Sequence, residues 1–66
     1  MFEYYITIPD DKEEFTLSIK LNLKNKGIQY KEISTKDAKI LIAIFNSEIV
    51  KEEFELEFRT QFPFLF

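Results

Sequence analysis

Ser18, Ser34 and Ser47 are the hydroxyl nucleophiles that would matter first for acyl transfer, which needs a nucleophile beside a base. The chain has no histidine to activate them and no cysteine to replace them. Counting leaves a Ser-Lys pair open, but no glycine-rich turn accompanies any serine. Loops that cradle phosphate need several glycines, and Gly27 stands alone. Asp10, Asp11, Glu13 and Glu14 carry oxygen ligands of the kind that hold Mg²⁺ or Ca²⁺. The same run reads more simply as the charged first turn of a helix. Glu48, Glu52, Glu53, Glu55 and Glu57 form a candidate acidic face. It could imitate the spaced charge of nucleic acid, although a solvated helix face is the plainer reading. No catalytic residue, cofactor or metal is expected, so the chain reads as non-enzymatic.

Those residues must be positioned by few elements, because 66 residues make one small domain. A chain of that size hides only about 60% of its unfolded surface and is marginal alone. Without cysteine and histidine it has neither disulfides nor the usual zinc ligands. Eight phenylalanines and three tyrosines are a heavy aromatic load. They either fill an aromatic core or stay partly exposed for a second chain to cover. The net charge of −3 argues against nonspecific nucleic-acid binding, which needs a positive footprint.

Phe2, Tyr4, Ile6 and Ile8 alternate with Glu3, Tyr5 and Thr7, which predicts a strand with one apolar face. Pro9 ends it. Acidic residues from Asp10 onward, with capping-box spacing, open a helix over about 11–26. Lys24, Lys26 and Gly27 close it. The interior conflicts with these ends: Phe15, Leu17, Ile19, Leu21 and Leu23 recur with a strand's period of two. On a helix Leu17 and Leu21 would lie away from the face shared by Phe15, Ile19 and Leu23. The segment 15–23 is therefore helix, or strand as the alternative. Ile28 to Ser34 predicts a polar edge strand, joined through Thr35-Lys36-Asp37 to the run Lys39-Ile40-Leu41-Ile42-Ala43-Ile44-Phe45. That run is apolar on both faces and too short to cross a bilayer, which takes about 20 residues. Asn46 or Ser47 can cap a second helix through Val50, Phe54 and Phe58, although Phe54, Leu56 and Phe58 also alternate. Phe62-Pro63-Phe64-Leu65-Phe66 predicts a last strand, confined to an edge by its proline.

The order is βαββαβ, which predicts an α+β two-layer sandwich of ferredoxin-like plan. Two helices would cover one face of a four-stranded antiparallel sheet of order 4-1-3-2. A small all-β barrel is the alternative if the two helical segments are strands. RNA binding on such a sheet needs aromatics on the third strand. Aliphatic residues occupy those positions, so nucleic acid is not an expected partner.

Two stretches resemble glutaredoxins. Ile19-Lys20, Leu23 and Lys26 to Ile33 are similar to the end of that family's first helix and its second strand. Lys51 to Phe54 and Phe62 to Phe66 are similar to its later helix and proline-bearing strand. The resemblance covers about half the chain and implies a truncated thioredoxin-like fold as a further alternative. Ungapped, it sets Glu13-Glu14-Phe15-Thr16 where the family has Cys-Pro-Tyr-Cys. A relic without either cysteine would have no redox activity, because thiol exchange needs a thiolate.

Function is expected from contact. A two-layer fold leaves one sheet face open, and the 39–45 run supplies that face with apolar residues. Either Ile40, Ile42 and Ile44 or Leu41, Ala43 and Phe45 face out. The second set, with Tyr5 and Leu65, is the expected interface. A charge at Phe45 should then abolish association and spare folding. The expected role is a small acidic binding or regulatory protein, such as a phage-encoded modulator of a host protein, with a protein partner or a homodimer. No signal peptide is visible, and the chain is expected in the cytoplasm without membrane contact.

Overall fold

The structure, a computed structural model, describes residues 1–65. Strand β1, Phe2–Pro9, leads through a 3₁₀ segment, Asp10–Phe15, into helix α1, Thr16–Asn25. Strands β2, Gln29–Ser34, and β3, Ala38–Phe45, form a hairpin, and helix α2, Glu48–Gln61, follows. A 3₁₀ turn, Pro63–Leu65, ends the described chain. All strand pairs are antiparallel, in the order β1-β3-β2.

The long apolar run is therefore the central strand. Its pairing fixes which side chains share a face, because residues directly opposite in an antiparallel pair point the same way. Tyr4 stands opposite Ala43, which stands opposite Tyr30. A small residue between two tyrosines leaves room for the helices above. Ile6 and Leu41 pair next to them, then Phe2 and Phe45. On this side Tyr4, Ile6, Ile8, Leu41, Ala43 and Phe45 join Ile19 and Leu23 of α1 and Phe54 and Phe58 of α2 in one core.

The aromatic load is mostly core. Phe45 lies 5.4 Å from Phe54, ring centre to ring centre. Phe54 lies 5.6 Å from Phe58, and Tyr4 meets both edge-on at 6.0 and 6.2 Å. The line continues from Phe58 to Phe62 at 4.9 Å, through Phe64, to Phe15, which is 4.3 Å from Phe64. Aromatic pairs at these separations add about 0.5–1.5 kcal/mol each beyond the area they bury.

The expected four-stranded sheet is not present. Residues 62–65, expected in a fourth strand, form a turn; Phe66, the end of that expected strand, lies outside the described residues. The reason is local. The Phe62 N–H donates to the Phe58 carbonyl and the Leu65 N–H to that of Phe62, at 2.8 and 3.2 Å. Pro63 has no N–H to give a ladder, and the Phe62 and Phe64 rings find partners by curling onto the aromatic line. The all-β alternative is also overturned, since 16–25 and 48–61 are helical.

Helix α1 begins later than expected, and the acidic capping box does not form: no side chain caps the 3₁₀ segment or α1. Its C-terminus is as expected. The Gly27 N–H donates to the Lys24 carbonyl at 3.0 Å and the Ile28 N–H to that of Leu23 at 2.9 Å. That pair of bonds is a Schellman ending, which requires the left-handed φ of +70° found at Gly27. A Cβ built there would meet nothing within 4 Å. Gly27→Ala should therefore cost only the backbone term, about 1–2 kcal/mol, measured as a shift of the urea midpoint at unchanged slope. Of the two caps expected for α2, Asn46 and Ser47, the helix uses Ser47, whose Oγ accepts from the Val50 N–H at 3.4 Å.

Candidate functional site

The expected interface divides. Tyr5 is on the uncovered face and exposed. Leu41, Ala43 and Phe45 do not face out: they are 0, 0 and 4% exposed and belong to the core under the helices. Leu65 is half-buried against the same core. The correction follows from the register. Tyr4 and Ile6, on the buried face of β1, stand opposite Ala43 and Leu41, so Ile40, Ile42 and Ile44 turn to the open side.

That open side is built in cross-strand rows. Thr7, Ile40 and Ile33 form one row; Tyr5, Ile42 and Lys31 the next; Glu3, Ile44 and Gln29 the third. Ile42 is only 6% exposed although no helix lies over it, because Tyr5 and Lys31 stand on either side of it and shield it. Ile33 and Tyr5 are 46 and 56% exposed, and Ile40 and Ile44 are half-buried. The face thus has an apolar centre with Glu3 and Lys31 at its margins, the layout of a binding patch with a polar rim. Beside the third row it runs into an open cleft of about 490 Å³, lined in part by Lys24, Tyr30, Lys31 and Ile44. Ile33 has no place in the sequence-based interface. The only signal for it is its pairing opposite Ile40, which needs the hairpin register.

Electrostatics on this face are mild. The Glu3 carboxylate raises the Tyr5 phenol above its ordinary pKa, by its charge and by the hydrogen bond it accepts at 3.2 Å. The stronger charge network lies on the helix side. Lys20 of α1 pairs with Glu32 of β2 at 2.5 Å, and Lys39 of β3 sits 3.8 Å from both Glu32 and Glu13. The hydrogen bond between Lys20 and Glu32 lowers the Glu32 pKa and raises that of Lys20. A depressed carboxylate stabilises the fold above the ordinary glutamate range, and that contribution is lost as pH falls through the depressed value. A raised lysine stabilises below the ordinary lysine range, and its part is lost as pH rises through the raised value. Both groups are in contact with water, so the effect is small. Melting curves should show wild type above Glu32→Gln at neutral pH, with the two converging in acid.

The remaining candidates are scattered. Ser47 is occupied as a helix cap, and Ser18 and Ser34 are exposed on α1 and at the end of β2. Asp10, Asp11, Glu13 and Glu14 are exposed along the 3₁₀ segment. Among the described residues no group of three or more acidic side chains is arranged to hold a metal ion. The five glutamates of α2 do not share one face. Glu55 pairs with Lys51 at 2.8 Å, Glu57 pairs with Lys26 at the C-terminal cap of α1, and Glu48, Glu52 and Glu53 are exposed. No helix among the described residues is long and apolar enough to cross a membrane. Leu17 and Leu21, off the core face of α1 as the helical reading requires, are exposed.

Comparison with models of known families, with curated proteins and with solved structures finds no match to this chain.

Proposed function

We propose that this chain is a non-enzymatic binding protein that acts by protein–protein contact through the open face of its sheet. The observation that carries this is the uncovered side of β3, where Ile40, Ile42 and Ile44 continue sideways into Ile33 and Tyr5. Contiguous apolar surface that no helix covers, open at its flanks and rimmed by polar residues, marks interaction sites. On the helices the exposed apolar residues, Leu17 and Leu21 one turn apart on α1 and Ile49, Val50 and Leu56 along α2, are interleaved with polar and charged side chains, whereas the sheet face carries its apolar residues side by side on adjacent strands. The split of the α2 glutamates between two ion pairs and open solvent favours this reading over mimicry of nucleic acid.

The test compares two single lysine substitutions on opposite sides of the molecule. Wild type and Leu56→Lys should capture the same partner from a lysate of the source cells, and Ile44→Lys should fail to. A partner retained by Ile44→Lys but lost with Leu56→Lys would move the site to the helices and overturn the proposal. Circular dichroism on both variants guards against loss through misfolding.

A further inference from the structure

We infer that the free edge of β1 is a self-association site, where two copies pair antiparallel through β1 with Tyr5 opposite Tyr5. The two three-stranded sheets would then become one sheet of six strands. This interface is an edge and not a face, and it stands without the reading proposed above.

The two edges of the sheet are built differently. An exposed edge strand offers unpaired N–H and C=O groups to any other strand, and proteins blunt such edges with lysine, internal proline, bulges or short length. The β2 edge is blunted: it has six residues and carries Lys31 and Glu32 at its middle. The β1 edge is not. It has eight residues, its single charge is Glu3, and its proline is the terminal Pro9. No strand among the described residues pairs with its outer side.

The residues of β1 complement themselves. A twofold axis through Tyr5 sets Phe2 opposite Ile8, Glu3 opposite Thr7 and Tyr4 opposite Ile6. Every pair then joins residues of one face: Phe2, Tyr4, Ile6 and Ile8 above, Glu3, Tyr5 and Thr7 below. All of Phe2 to Ile8 is used, Pro9 is left outside, and the two glutamates never meet. Moving the axis to Ile6 would draw Pro9 in opposite Glu3. Moving it to Tyr4 would set Thr7 opposite Met1, outside the strand, and leave Ile8 with nothing opposite.

Helix α2 adds charge complementarity. Its Gln61 reaches Asn22 of α1 and its Glu57 reaches Lys26 at the cap of that helix. Positions 51 and 55 fall on the opposite flank of the Phe54–Phe58 stripe, toward the β1 edge. That flank presents one cation and one anion a single turn apart, Lys51 and Glu55. The same axis runs the two α2 helices antiparallel, so the flank of each helix that carries Lys51 and Glu55 faces the other copy. An isologous contact needs this self-complementary patch.

Sedimentation equilibrium on wild type, Tyr5→Lys and Ile33→Lys tests the inference. Wild type should dimerise. Tyr5→Lys sets two like charges directly opposite and should weaken the dimer roughly tenfold. Ile33→Lys, on the far edge of the open face, should leave it unchanged. Both positions are exposed, and circular dichroism checks that both variants fold. In a sample mixed from labelled and unlabelled chains, filtered NOEs should join Glu3 of one copy to Thr7 of the other. A wild type that stays monomeric at millimolar concentration overturns the inference. So does a dimer whose intermolecular NOEs run through Ile33 and Ile44, which would instead be face-to-face association on the open side.

Discussion

Phe58→Ala is expected to leave the chain largely unfolded at 37 °C. Phe58 is 1% exposed and touches the aromatic line in three directions: Tyr4, Phe54 and Phe62. Truncating a buried phenylalanine costs about 3–5 kcal/mol, through lost transfer energy and the cavity left behind. Domains are stable by roughly 0.05–0.15 kcal/mol per residue, which for 66 residues is on the order of 3–10 kcal/mol. One substitution therefore removes much of the margin. In a domain this small each kcal/mol moves Tm by about 4–8 °C, so the melt should fall by on the order of 20 °C. The local environment points to the high end of the range. Neighbours that are rigid rings, held by one another, collapse poorly into a void. A Tm within a few degrees of wild type would mean that Phe58 does not hold the helix layer to the sheet.

The same aromatic line explains what the sequence could and could not show. The alternation in β1 was legible because its apolar residues fall on one face only: Tyr4, Ile6 and Ile8 are buried, Glu3, Tyr5 and Thr7 exposed. The end of α1 was legible because Gly27 does a job that only a residue tolerant of positive φ does cheaply. Its interior pattern argues for the strand alternative, and the helix forms nonetheless. Leu17 and Leu21 give a period of two, yet they are simply exposed leucines on a helix. Periodicity counts apolar residues and assumes that each is buried. The final segment misled for a related reason. Phe-Pro-Phe-Leu-Phe has a strand's composition, but the Phe62 and Phe64 rings pack on Phe58 and Phe15 and not in a fourth strand.

The face of β3 was beyond periodicity altogether. Every position from Ile40 to Phe45 is apolar, so both sides score alike. The pattern in β1 and the β1–β3 register are needed together: Tyr4 opposite Ala43 decides the rest. β-branched bulk does not decide which side is buried: the interior takes the alanine, the leucine and the phenylalanine, and the isoleucines turn outward. Two tyrosines beside Ala43 already fill the space there. Beyond them Phe45 can reach Phe54.

Adjacent residues on that strand should consequently behave as opposites. Phe45→Lys is expected to abolish folding, not association. It removes a ring that is 4% exposed and in contact with Phe54. It also places an ammonium in the core cluster with Tyr4, Ala43 and Phe54, none of which carries a charge to pair with it. The lost ring alone costs about 3–5 kcal/mol, and burying an unpaired charge adds several more. Together these exceed the stability of a small domain. Ile44→Lys, one residue earlier, points to water and stands opposite Glu3. Opposite charges directly across strands are mildly favourable, and the lost β-branched residue costs on the order of 1 kcal/mol. Ile44→Lys should therefore keep a native far-UV spectrum while losing contact made through the open face. Two spectra and two melts decide the matter. A folded Phe45→Lys would turn the sheet over and return the binding face to Leu41, Ala43 and Phe45. An unfolded Phe45→Lys beside a folded Ile44→Lys fixes the helices on one side of β3 and leaves the isoleucine rows for a partner.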